Sequence, residues 1–231
     1  MKLCKFRSML EKNSLFFSRA NKQTDKLEGE YPREMYAELA RRFGNGFPTD
    51  SGRTYTFREW HNEKEIPSRL ISCWAVSTRE SPRMWKEYTQ SQESVAICTT
   101  LQKLKNCFHD RVEPVVFIGK VRYGQYENRL PMSLSKWDGI FWLYAFFAKR
   151  DKFRWENEVR AIVNIATNKQ SEFGGTPNGC FIKADLHQLL SSVWINPRAS
   201  LKFTVQVMEL LASYGFGKIQ VCNSNALKTE Q

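Results

Sequence analysis

The sequence predicts an α+β fold, a single domain of short mixed strands with flanking helices, and three observations carry that prediction. Short apolar or alternating runs recur at residues 70–76, 94–99, 115–123 and 181–184. Separate stretches at 30–43 and 201–214 carry apolar residues at helical spacing. The two kinds of segment do not alternate regularly, which disfavours a crossover-built α/β sheet.

Taken in order, residues 2–7 read as a short strand, 8–12 as a turn and 15–18 as a second strand. Tyr31, Met35, Leu39 and Phe43 recur every four residues, so 30–43 is a predicted amphipathic helix, stopped by Gly44-Asn45-Gly46. Residues 47–67 are polar and irregular, a loop or a helix pair. Residues 70–76 form a buried strand. Ser81 before Pro82 is a cap followed by proline at the first helical position, which starts a short helix over 83–90. Strands follow at 94–99 and 115–123, then a long aromatic helix at 134–149. A strand over 154–166, strands at 181–184, 193–196 and 219–222, a short helical segment at 185–190 and a helix at 201–214 closed by Gly215 complete the chain.

With 231 residues, 42% of them hydrophobic, the chain is long enough to bury a substantial core, and no linker or repeat divides it. One domain over 1–231 is the simpler reading. Net charge is +11, with a pI near 9.4, which favours polyanionic partners such as nucleotides, nucleic acid or an acidic protein surface. The cations are dispersed (Lys2, Lys5, Arg7; Arg41, Arg42; Lys149, Arg150, Lys152, Arg154), a weaker signal than a basic tail. Six cysteines show no Cys-x-x-Cys spacing, and three histidines form no helical pair, so no zinc site is expected. Charged residues interrupt the N-terminal segment, and the apolar run at 138–148 is too short to span a bilayer. The expectation is a cytoplasmic protein with reduced thiols and no membrane partner.

The most informative stretch is Trp155-Glu156-Asn157-Glu158-Val159-Arg160. On a strand, alternation would point Glu156, Glu158 and Arg160 the same way. Such a row is either a solvated strand end or the floor of a polar site. Trp85 and Tyr88, three apart on a helix, are either core or a stacking platform for a base or nicotinamide. Gly174-Gly175-Thr176-Pro177-Asn178-Gly179 lacks the Lys-Ser/Thr ending of a phosphate loop.

Segments along nearly the whole chain resemble an uncharacterised bacterial family of the "domain of unknown function" class. They are Lys5-Phe6-Arg7, Phe17-Ser18, Asp25-Lys26-Leu27-Glu28-Gly29, Ser72-Cys73-Trp74, Met84-Trp85-Lys86-Glu87-Tyr88, Val121-Arg122-Tyr123, Trp155 to Arg160, and Val193-Trp194-Ile195-Asn196-Pro197. Two departures stand out. The family's aromatic-Asn-Asp-Pro segment is reduced to Gln23-Thr24-Asp25-Lys26, and a Gly expected after the Trp-Tyr helix is replaced near Glu93-Ser94.

More distantly, the layout is similar to the ADP-ribosyltransferase superfamily. That resemblance implies an ADP-ribosyltransferase-like fold and NAD as cofactor. Arg7 would hold the dinucleotide, Ser18 the nicotinamide end, and Glu158 an oxocarbenium-like state, while Glu156 would orient or deprotonate the acceptor. Trp85 or Tyr88 would stack on a ring, with Arg160 a further cofactor-side group. The implied acceptor is nucleic acid or protein, and the implied role a bacterial defence or toxin effector. Set against this, Glu156 or Glu158 paired with Arg160 would merely tie down a strand edge. Two other classes stay open. One is a non-catalytic nucleotide or nucleic-acid-binding module. The other is a metal-dependent nuclease using Asp25, Glu28, Glu156 and Glu158.

Overall fold

The structure, a computed structural model, describes residues 1–44, 46–48, 52–89, 91–109, 113–124 and 141–226. In chain order it runs α1 (Leu3–Lys12), β1 (Ser14–Arg19), α2 (Arg33–Phe43), β2 (Phe47–Pro48), β3 (Thr54–Tyr55), α3 (Phe57–Trp60), α4 (Ile66–Ser68) and β4 (Arg69–Ala75). It continues through α5 (Pro82–Tyr88), β5 (Val95–Cys98), α6 (Leu101–Asn106), β6 (Phe117–Lys120), β7 (Arg122–Gly124), β8 (Ala148–Arg150) and β9 (Glu158–Asn164). The last elements are β10 (Gly179–Lys183), α7 (Leu186–Leu189), β11 (Ser192–Ile195), α8 (Leu201–Ser213) and β12 (Gln220–Asn223). The content is mixed α+β, and the larger sheet has the strand order β10-β1-β4-β9-β6. Among the described residues no helix is long and apolar enough to cross a membrane.

Two compact units divide the chain, each assembled from separated segments. One comprises Met1–Phe16, Ser77–Glu113 and Phe181–Gln231; the other comprises Phe17–Val76 and Pro114–Cys180.

In the second unit, β9 lies between β4 and β6, antiparallel to both. A strand flanked on both edges and covered on both faces is largely apolar, and any charge it carries must be paired. Accordingly Val159, Ala161 and Val163 are buried on one face and Ile162 on the other. The Ile162 face, with its cross-strand neighbours Ile71 and Phe117, packs against Met35, Tyr36 and Leu39 of α2 and against Leu143 and Phe146. Position 160, one step along that face, is opposite Cys73 on β4 and Gly119 on β6. Two small neighbours leave room for a guanidinium above the pleat.

The first unit holds the three-stranded sheet β12-β11-β5. Helix α8 links the parallel pair β11 and β12, burying Phe203, Val207, Leu210 and Leu211. The hydroxyl of Ser200 caps it, accepting from Phe203 N–H at 3.2 Å.

Three expectations need correction. The segment expected as a strand over 2–7 is helical from Leu3 onward, because Phe6, Met9 and Leu10 share an inward face at helical spacing. Asn13, in the left-handed conformation (φ 44°), ends that helix. The aromatic helix expected over 134–149 falls partly outside the described residues. Its described part is a 3₁₀ segment, Phe141–Phe147, followed by β8. There the carbonyl of Phe146 accepts from Arg160 (2.6 Å). The strand expected over 154–166 begins only at Glu158. Asp151–Glu156 is a 3₁₀ turn ended by Asn157 at φ 41°, a conformation asparagine tolerates. The Asn157 side chain fixes this corner by donating to Val76 O (2.6 Å). Glu156 therefore does not share a strand face with Glu158 and Arg160.

Candidate functional site

Arg160 is fully buried. Nη1 and Nη2 donate to the two oxygens of Glu28, at 2.5 and 3.0 Å, and Nε donates to Glu158 Oε2 at 2.7 Å. The other oxygen of Glu158 accepts from Lys149 Nζ (3.1 Å), which also pairs with Glu156. The result is an alternating chain, Glu28–Arg160–Glu158–Lys149–Glu156, in which every member is buried. Tyr123 braces the middle of the chain, its hydroxyl accepting from the Glu158 backbone N–H (2.8 Å). Beside the chain, Arg150 forks onto buried Asp25. Gly29 makes the approach possible at φ +79°, where a Cβ would overlap the Phe146 ring.

Three carboxylates face two cations, so one carboxyl has reason to keep a proton. Burial, together with a hydrogen bond to Glu158, pushes the Glu156 carboxyl up, against the pull of Lys149. Burial also acts on Glu158, but Arg160, the hydrogen bond from Glu156 and Lys149 outweigh it and hold that carboxyl down. Burial raises Glu28 too, opposed by its two bonds from Arg160.

Of the residues singled out in the sequence, Glu156, Glu158 and Arg160 are thus brought together. Arg7 is not on a strand; it is exposed on α1, in the first unit. Ser18 is half-buried on β1, its hydroxyl donating weakly to Asn178 O (3.4 Å). Sequence reasoning did not pair Arg160 with Glu28, or either glutamate with Lys149. Lys149 appeared only as one dispersed cation. The nuclease reading meets a chemical objection: Asp25, Glu28, Glu156 and Glu158 are each bound by an arginine or lysine of the chain itself. Among the described residues no group of three or more His, Cys, Asp or Glu is placed to hold a metal ion.

Trp85 leads elsewhere, to a cleft of about 680 Å³ within the first unit. Helix α5 starts as expected, Ser81 Oγ accepting from Met84 N–H (3.3 Å) with Pro82 next. It buries Trp85, whose indole N–H reaches Glu80 (3.4 Å), and leaves Tyr88 half exposed, so the two rings do not share an environment. Asn196, just past β11, pins the opposite wall. Its amide donates to Ser94 Oγ (3.0 Å) and Thr89 Oγ1 (3.3 Å), and its carbonyl accepts from Arg198 N–H (2.9 Å). Among the described lining residues, Arg83, Lys86 and Arg198 face a single carboxylate, Glu87, and all four are exposed.

No family model, curated protein or solved structure matches the chain.

Proposed function

We propose that the chain is a non-catalytic binding module for a nucleotide-sized, phosphate-bearing ligand seated in the Trp85 cleft. The carrying observation is the contrast between two groups of charges. The buried carboxylates around β9 are bound by the chain's own cations, whereas Lys86 and Arg198 stand exposed on the wall of an open cleft that Arg83 also lines. Its volume lies in the range of about 300–1,000 Å³ usual for small-ligand sites. Arginines suit phosphate oxygens because the planar fork donates in pairs. The overall charge of +11 adds a favourable long-range field. Titration calorimetry with AMP tests the reading. Arg198→Ala or Lys86→Ala should weaken AMP binding at least tenfold without changing the melting temperature. Undetectable AMP binding by the wild type would refute it.

A second reading, NAD-dependent ADP-ribosyl transfer, is favoured by one observation. Burial pushes the Glu156 carboxyl up while Arg160 holds Glu158 down, a divergence of the kind that separates an acid from its ionised partner. Glu158 would stay ionised to stabilise positive charge on ribose, and Glu156 would hold the exchangeable proton. Nicotinamide release from NAD by the wild type, lost in folded Glu158→Gln, would establish this activity. No release above the uncatalysed rate would remove it.

A further inference from the structure

The second unit carries its own basic surface, with aromatic rings between the cations. A groove of about 280 Å³ runs beside β6, the last strand in the order of the larger sheet. Tyr144, Phe147 and Phe117 supply its rings, and Lys120 and Arg122, both exposed, supply its charges. None of its described lining residues is acidic. Glycine at 119 is what admits the Phe147 ring, since a Cβ there would lie 2.9 Å from it. Strand β7 pairs with β8, setting Arg122 opposite Ala148, another lining residue. The chain then turns through Asp151–Glu156, where Lys152 lies over the Phe153 ring at 4.9 Å and Arg154 over Tyr123 at 6.0 Å.

We propose that this groove binds single-stranded nucleic acid. One unpaired base stacks against Tyr144 and Phe147, and the flanking phosphates lie on Lys120, Arg122 and Lys152. Two features select a single strand. The groove has room for one unpaired base and a mostly apolar lining, which a paired base cannot enter without leaving the duplex. Lys120 and Arg122 are exposed among its lining residues, where a backbone could pass. Stacking accepts any base, so little sequence preference is expected. This site is independent of the Trp85 cleft.

Fluorescence anisotropy with a labelled ten-nucleotide oligothymidylate tests the proposal, read over a series of salt concentrations. Wild-type binding should fall with salt with a slope near −2 in log–log form, at about −0.7 for each of three phosphates. Lys120→Ala with Arg122→Ala should weaken binding at least tenfold and bring the slope to about −0.7. Arg198→Ala should leave it unchanged. Tyr144→Leu should weaken binding without altering the slope. Equal affinity for a duplex of the same length would overturn the proposal. So would loss of binding in Arg198→Ala but not in the Lys120/Arg122 variant, or no binding at low salt.

Discussion

Arg160 holds both carboxylate oxygens of Glu28, at 2.5 and 3.0 Å, across 132 residues of sequence. The contact ties the segment after β1 to β9, which lies between β4 and β6 in the larger sheet. Taking both charges from water is costly, and their attraction returns that cost only while the geometry is complete. The pair is therefore a weak source of net stability and a strong penalty when one half is lost.

Removing one partner should be worse than removing both. Glu28→Gln or Glu158→Gln leaves Arg160 under-compensated in a buried site and should cost about 3–5 kcal/mol. The Glu28→Leu/Arg160→Met double variant should recover part of the Glu28→Leu loss, because it removes the stranded guanidinium along with its partner. Urea denaturation of the single and double variants measures the coupling. Strict additivity would show that the contact carries no energy.

His61 should make the fold sensitive to mild acid. Its Nε2 meets Gly29 O at 2.7 Å, and its ring packs 4.6 Å from Tyr31. Burial lowers its pKa from 6.5 to about 4, the Gly29 hydrogen bond opposing and Arg69 assisting. The folded state thus refuses a proton that the unfolded chain accepts below 6.5. Stability is complete above that value and is lost as pH falls toward 4, by about 3 kcal/mol in all. Denaturation midpoints between pH 7 and 4 should fall for the wild type. His61→Phe should flatten that part of the profile, and an unchanged slope would contradict a buried neutral imidazole.

Arg7→Ala should do very little. The side chain is exposed on α1, away from the helix face that buries Phe6, Met9 and Leu10. A change within about 0.5 kcal/mol in stability is expected. AMP affinity should also be unchanged. A large loss of nucleotide binding would restore Arg7 to the role implied by the transferase resemblance.

Local signals exposed much of the fold. Helical spacing announced α2 and α8, Ser81-Pro82 announced α5, and apolar runs announced β4, β5 and β11. Helix α1 stayed hidden because Lys5 and Arg7 flank Phe6, imitating the alternation of a strand, while the register of Phe6, Met9 and Leu10 decides the matter. In the candidate site, Glu158 and Arg160 were legible because they are two apart on one strand. Glu28 and Lys149 were not, because a pairing across a fold leaves no periodic trace in sequence. The Trp85 cleft was half legible. Trp85 itself was noticed, but Asn196 and Arg198 join it only through the turn after β11.

The central claim is that β9 carries the scaffold and the Trp85 cleft carries the ligand. AMP titration calorimetry on Glu158→Gln and Arg198→Ala, both below their melting transitions, tests it most directly. The account predicts that Glu158→Gln binds AMP as the wild type does despite its lower melting temperature, while Arg198→Ala keeps its stability and loses affinity at least tenfold. A folded Glu158→Gln that no longer binds AMP, beside an Arg198→Ala that still does, would contradict it.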